Sequence, residues 1–230
     1  MRILLATPTR GRPDSFIEMV RSARATASKP QDLAIIARVD KDDPTRRGYF
    51  TERGFGVTQG KRLSLPRVWN EMAKTHRFDI FMMCADDIRF RTTGWDEEVR
   101  AAFEQWPDRI GHVYGDDGFQ GEKLATHSFV SKEWIEAVGY YLPEVLLGDY
   151  VDTFLHILAA NLGRSQYVPH VLTEHLHPFA GKAAMDDTYA YRHTGSGPSL
   201  QKAAWDKLVA SGEIAKALDR LKAAIACEGP

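Results

Sequence analysis

The residues that could do chemistry in this chain are a few carboxylates, imidazoles and guanidiniums. In "DIFMMCADDIRF" (79–90) an unbroken apolar run, Ile80 to Cys84, leads into two adjacent carboxylates, Asp86 and Asp87. Like charges at this spacing repel, and taking either out of water is costly. A divalent cation is one partner that favours both, and a hard ion suits oxygen ligands. Aspartate pairs also make turns and cap helices, so the motif alone leaves both roles open. Asp149 and Asp152 in "GDYVDTFLHILAA" stand at i and i+3, which puts both on one helix face. Acids early in a helix are also simply favoured by its dipole. His175 and His177 alternate in the extended stretch "TEHLHP" and so share a side. Neutral imidazole is a borderline ligand for Mn²⁺. Thr7, Arg10 and Arg12 lie in "TPTRGRP", where an arginine can grip a phosphate through two donors. Asp116 and Asp117 in "YGDDGF" are a second acidic pair, lining a site or turning the chain before Gly118.

The elements that must position these groups alternate. Strands are predicted over 2–6, 33–39, 79–84 and 111–115, and helices over about 15–27, 64–76 and 95–106. The stretch 40–56 reads as a long charged loop, and Trp95 as core packing. This βαβαβ order implies a parallel sheet with helices on both faces. Ligands of such sheets bind beyond the carboxyl ends of the strands. Three polar clusters fall there: Thr7 to Arg12, Asp40 to Asp43, and Asp86 to Asp87. Asp42 and Asp43 read as turn formers before Pro44. Further on, 124–141 reads as strand then helix, 149–163 as a helix and 165–178 as extended. A glycine-containing polar loop, 179–198, reads as mobile. A C-terminal helix carries Ile214, Leu218, Leu221 and Ile225 on one face. Neither the dinucleotide nor the P-loop glycine signature is present.

Composition excludes several classes. The 230 residues are 43% hydrophobic with a net charge of -1, so a full core is available and no global field attracts nucleic acid or anionic membrane. No segment approaches the roughly 20 apolar residues of a membrane span, and the N-terminal apolar stretch is too short for a signal peptide. Two cysteines, Cys84 and Cys227, do not suggest a disulfide framework. A reduced, cytoplasmic protein is expected.

With this order of elements and the stretch "CADDI", residues 1–178 resemble the nucleotide-sugar glycosyltransferases of GT-A fold, particularly inverting family 2. The resemblance implies an α/β fold: a Rossmann-like, mostly parallel doubly wound sheet with an acceptor-side subregion and a C-terminal helix. It implies residues 1–110 as the nucleotide-sugar half, 111–198 as the acceptor and catalytic half, and 199–230 as a helical appendage, all in one compact domain. In that family a short acidic motif holds Mn²⁺ or Mg²⁺ on the sugar-nucleotide diphosphate. Here Cys84 or Ala85 stands where the first aspartate would be; the last aspartate of the motif usually makes the main metal contact, and either Asp87 or Asp86 is that ligand. A late histidine completes the metal shell, which implicates His177 ahead of His175. The loop Thr7–Arg10–Arg12, Asp40, and the segment with Lys61, Arg62 and Asn70 would contact the donor, a UDP-sugar by default. A carboxylate at the start of the late helix would be the general base, Asp152 ahead of Asp149, with Asp116 and Asp117 as alternatives.

The acceptor is open at this level. A surface glycan is the family default. The chain also looks like phage-encoded transferases that act on hydroxymethylated DNA bases. For that acceptor the eight Lys or Arg against four acids between Arg38 and Arg67 would be apt. The rivals are a nucleotidyltransferase, which normally has a glycine-rich phosphate loop, and a nucleotide-sugar-binding protein without turnover.

Overall fold

A strand that is apolar at every position needs cover on both faces, and the sheet supplies it. The computed structural model describes residues 1–186, 189–190 and 193–227. It contains β1 (Ile3–Thr9), β2 (Leu33–Asp40), β3 (Gly56–Gly60), β4 (Ile80–Met83), β5 (Ile88–Phe90), β6 (His112–Asp116), β7 (Phe129–Ser131) and β8 (Ser165–His175). The strands form one mixed sheet in the order β3-β2-β1-β4-β7-β6-β8-β5. The first four are mutually parallel, β7 runs antiparallel between β4 and β6, β6 pairs parallel with β8, and β5 closes the far edge antiparallel.

Alternation along each strand sorts the core into two layers. Ile3, Leu5, Ile80 and Met82 face helices α1 (Pro13–Thr26) and α3 (Trp95–Phe103), with Phe16, Met19, Trp95 and Val99. Leu4, Ala6, Phe81 and Met83 face α2 (Leu65–Thr75), α4 (Lys132–Val138) and α5 (Val151–Leu162), with Trp69, Trp134, Phe154 and Leu158. Two further helices, α6 (Gly197–Ala210) and α7 (Glu213–Cys227), add Leu208, Ala217 and Leu221 to that second layer. Each large side chain buried in this way contributes about 1.5–3 kcal/mol. Trp95 is fully buried, and its indole N–H donates to the Ala23 carbonyl at 3.1 Å. No helix among the described residues is long and apolar enough to cross a membrane.

Several expectations change. The expected charged loop over 40–56 leads directly into β3, an edge strand whose sequence "GVTQG" has no apolar alternation. Its register comes from pairing with β2. The three-residue β5 was also not anticipated. The single C-terminal helix is two, broken at Gly212, whose φ of 70° is left-handed. The helix expected from 149 starts at Val151, because Tyr150 sits at φ 65°. Of the expected mobile loop, residues 187, 188, 191 and 192 lie outside the described residues, and Pro178–Ala180 form a short 3₁₀ turn.

Candidate active site

The carboxyl ends of β1, β4 and β8 meet around the acidic pair. Thr9, the last residue of β1, donates its hydroxyl to Asp86 Oδ2 at 2.6 Å. Arg12 enters from the following loop, and a single nitrogen, Nη1, reaches Asp86 Oδ1 at 3.1 Å and Asp87 Oδ2 at 3.2 Å. The same guanidinium donates through Nε to Asp186 at 2.7 Å and lies 5.0 Å from the centre of the Tyr189 ring. The Tyr189 hydroxyl donates to Asp87 Oδ2 at 2.7 Å. Tyr49 supports the loop from beneath: its hydroxyl accepts from the Arg12 amide and contacts the Thr9 hydroxyl, both at 3.0 Å. From the β8 side, the Leu176 amide donates to the Asp87 carbonyl at 2.9 Å, which brings His175 Nε2 to 3.5 Å from Asp87 Oδ1.

Both carboxylates are largely buried, and their environments drive them apart. Burial and the neighbouring Asp87 charge push Asp86 up to about 6, against the pull of Arg12 and Thr9. Burial works on Asp87 too, but the His175 ring, the Tyr189 hydroxyl and Arg12 outweigh it and hold Asp87 well below the usual carboxylate range. Burial disfavours the charge on Arg12, and the Asp86 and Asp87 carboxylates more than restore it. Such a split pair is typical of a functional site.

The split has a measurable consequence. The folded state binds a proton at Asp86 more readily than the unfolded state does. The ionised side chain therefore costs stability, in full above about pH 6, and that cost fades as pH falls and is gone below the unfolded value of about 4. Asp86→Asn is expected to melt at a higher temperature than the parent protein at pH 8, with the advantage shrinking as pH falls through 6 to 5. Equal midpoints by calorimetry at pH 8 would mean that Arg12 already offsets the charge.

The other predicted residues divide. Arg10 pairs with Asp40 at 3.2 Å and with Asp42 at 2.8 Å, so one end of the β1 loop is tied to the end of β2. Asp43 is fully buried and accepts from the amides of Gly11 and Thr45, a turn role as expected. Thr7 is fully buried within β1 and does not reach the surface. Lys61 and Arg62 are exposed just past β3. Asn70 is not brought to the cluster: its amide is spent on the backbone of Tyr141 and Leu142, at 2.8 to 3.0 Å. Arg38 is likewise buried, 3.3 Å from Glu71, and its Nη2 occupies the space beside Gly60 where a Cβ would stand only 2.0 Å away. It is therefore not part of a basic surface.

The second acidic pair turns the chain. Asp117 Oδ1 accepts from the amides of Phe119, Gln120 and Gly121 at 2.6 to 3.0 Å, and its Oδ2 from the Thr126 hydroxyl at 2.8 Å. Asp116 accepts from the Gly118 amide at 2.8 Å. Asp152 opens α5, its Oδ1 accepting from the Thr153 amide at 2.7 Å. Asp149 precedes the helix, so the shared helical face expected for the two does not exist; its amide donates to Gln201 of α6 at 3.0 Å. His175 and His177 do share a side, their rings 4.8 Å apart. His175 is the one that abuts Asp87, whereas His177 Nδ1 accepts from the Phe179 amide at 3.1 Å.

Sequence reasoning missed Thr9, Tyr49, Asp186 and Tyr189. Thr9 had a signal, since it stands two residues beyond Thr7 on the same strand face. The others come from segments with no periodicity. Among the described residues no three His, Cys, Asp or Glu side chains are arranged to hold a metal ion. The hydrogen bonds of the acidic pair are taken instead by Arg12, Thr9 and Tyr189.

Comparison with solved structures decides the architecture. A mannosyltransferase from Pyrobaculum calidifontis, solved with GDP-Man and Mn²⁺, superposes with a TM-score of 0.58 at 14% identity, over 100% of this chain and 76% of its own. S. aureus TarS 1-349 in complex with UDP-GlcNAc gives 0.63 at 10% identity, over 96% and 72%. Glucosyl-3-phosphoglycerate synthase from Mycobacterium tuberculosis, with Mn²⁺, UDP-Glc and phosphoglyceric acid, gives 0.58 at 13%, over 88% and 79%. The chain has the GT-A fold. No family model and no curated protein matches it by sequence. In GT-A terms, Asp86 and Asp87 stand at the carboxyl end of a central parallel strand, the edge of an open α/β sheet where ligands bind.

Proposed function

We propose that this GT-A protein is a metal-dependent glycosyltransferase that moves a sugar from a nucleoside-diphosphate sugar, by preference a UDP-sugar, to an acceptor hydroxyl with inversion. The observation that carries the reading is the buried Asp86–Asp87 pair, clamped by Arg12 and flanked by His175 at the end of β4. Fold alone would not support it.

As they stand, Asp87, Asp86 and His175 are not arranged around an ion, because Arg12 occupies the pair; they are the residues that would hold a divalent ion once Arg12 is drawn off. Asp87 Oδ1 is buried without a hydrogen-bond partner and faces His175 across 3.5 Å, a carboxylate oxygen that suits Mn²⁺ beside an imidazole that is a borderline ligand for it. Such an ion supplies Lewis-acid stabilisation of the leaving diphosphate. Arg12 is the cation that the pair holds in the meantime. A donor diphosphate offers it an alternative anion, gripped through two N–H groups. Asp152, or Asp149, takes the proton from the acceptor hydroxyl on the face opposite the leaving group.

The test is a screen of nucleotide sugars with Mn²⁺, read as released nucleoside diphosphate. Release from none of them would overturn the reading. Asp186 and Tyr189 already contact Arg12 and Asp87, so the stretch 179–198 is the natural cover for a bound donor. Limited proteolysis is expected to slow there when nucleotide and Mn²⁺ are added together. Cleavage at an unchanged rate would remove the segment from the site.

A further inference from the structure

Phe119 and Phe179 are large apolar rings, yet they are 42% and 59% exposed. They are not loose surface residues. The Phe119 amide is one of three that converge on the Asp117 carboxylate, which is itself 98% buried by its 2% exposure. Loop 117–121 thus uses a buried charge to hold the backbone that carries the exposed ring. The Phe179 amide is held by His177 Nδ1. Between the two rings lies His177, stacked on Phe119 at 5.2 Å with 14° between planes and 5.2 Å from Phe179. The strip leads inward: His177 is 4.8 Å from the Tyr189 ring, and the Tyr189 hydroxyl bonds Asp87.

We propose that Phe119, His177 and Phe179 form an acceptor platform that binds a pyranose ring of a glycan. The proposal rests on the transferase reading above and narrows its acceptor. An exposed aromatic face carries negative quadrupolar charge. The axial C–H bonds of a pyranose, polarised by neighbouring oxygens, present a complementary apolar face. The platform is continuous with the acidic pair, so a sugar stacked on it lies at the mouth of the site. Fixed apolar surface bordered by polar side chains marks a binding surface, and holding the rings by backbone hydrogen bonds reduces the ordering cost of binding.

Charge disfavours a DNA acceptor on the same rings. Bases also stack on aromatics, but nucleic-acid affinity depends on phosphate contacts by free cations. Lys182, one ammonium bordering the Phe119 loop, is tied to Glu174 at 3.0 Å and to the Gly118 carbonyl at 3.3 Å, which leaves the exposed Lys123 as the cation beside the loop. Asp116 adds negative charge beside the loop, its carboxylate accepting from the Gly118 amide.

The experiment reads binding without donor and without turnover. The full chain, with Phe119→Ala, Phe179→Ala, Phe119→Tyr and Phe179→Tyr variants, is applied to an array of immobilised neutral and N-acetylated pyranose oligosaccharides, with single-stranded and duplex DNA on the same surface. Thermal unfolding of each variant checks the fold. Retention on a subset of the oligosaccharides is expected. It should weaken about tenfold in each alanine variant and be restored in the tyrosine variants, which keep the ring. Three outcomes overturn the proposal: no oligosaccharide retained, retention indifferent to both rings, or retention of DNA alone. Failure of the two readings is separable. A protein that binds oligosaccharides through these rings but releases no nucleoside diphosphate keeps the platform and loses the transferase. The reverse result keeps the transferase and loses the platform.

Discussion

Asp87→Asn is expected to abolish the dependence of nucleoside-diphosphate binding on Mn²⁺ and to lower sugar transfer by about 10³-fold. That size corresponds to losing several kcal/mol of charge stabilisation on the leaving group. Asparagine keeps the shape and can still accept from Tyr189, so the fold should survive. What is lost is the ionised oxygen, Oδ1, that faces His175 with no hydrogen-bond partner. Asp86→Asn should do less, since one Asp86 oxygen is already committed to Thr9 and its charge is the more weakly held of the two. Calorimetric titration of UDP in Mn²⁺ and in EDTA, for the parent protein and both variants, measures this directly. If affinity is the same in every arm, neither aspartate is a metal ligand.

The second large effect concerns the base. Asp152→Asn, or failing it Asp149→Asn, should leave donor and metal binding intact and reduce transfer by about 10²–10⁴-fold, the usual contribution of general-base catalysis. A helix-dipole role for Asp152 predicts the opposite pattern, a stability loss of about 1 kcal/mol or less with turnover unchanged. Thermal unfolding paired with product formation separates the two. The geometry already distinguishes the residues: Asp152 lies in the first turn of α5, whereas Asp149 lies before it, tied to α6 through its amide. Near-normal transfer by both variants would place the base elsewhere. Asp117 would be a poor replacement, because its carboxylate is fully engaged by three amides and a hydroxyl.

How much was legible follows from where the signals were local. The strands at 3–9, 33–40 and 80–83 are apolar at nearly every position because both sheet faces are covered, and that pattern needs no tertiary information to read. The Asp86–Asp87 pair was visible for the same reason, as charge at the end of such a run. Arg12 was visible as a basic loop residue, but not as the group bridging both aspartates. That depends on Tyr49 and Thr9, 40 residues apart, positioning its loop. The burial of Asn70 and Arg38 was not legible, because a polar side chain satisfied by distant backbone or a distant carboxylate leaves no mark in its own neighbourhood. Tyr189 reaches Asp87 across 102 residues from a stretch with no apolar period, so only the folded chain could reveal it.

Tyr150, the one residue between Asp149 and α5, sits at φ 65°, a conformation that costs a non-glycine residue about 1–2 kcal/mol. Its ring stacks on Trp205 of α6 at 5.3 Å, while Gln201 one turn earlier receives the Asp149 amide. The C-terminal hairpin is therefore a brace: it holds a strained joint at the start of α5. Anyone shortening this chain or exchanging its last helices for those of another protein would remove the support of Tyr150 and of the Asp149 backbone at the start of α5. Conversely, Tyr150→Gly relaxes the backbone at the joint but gives up the ring stack on Trp205.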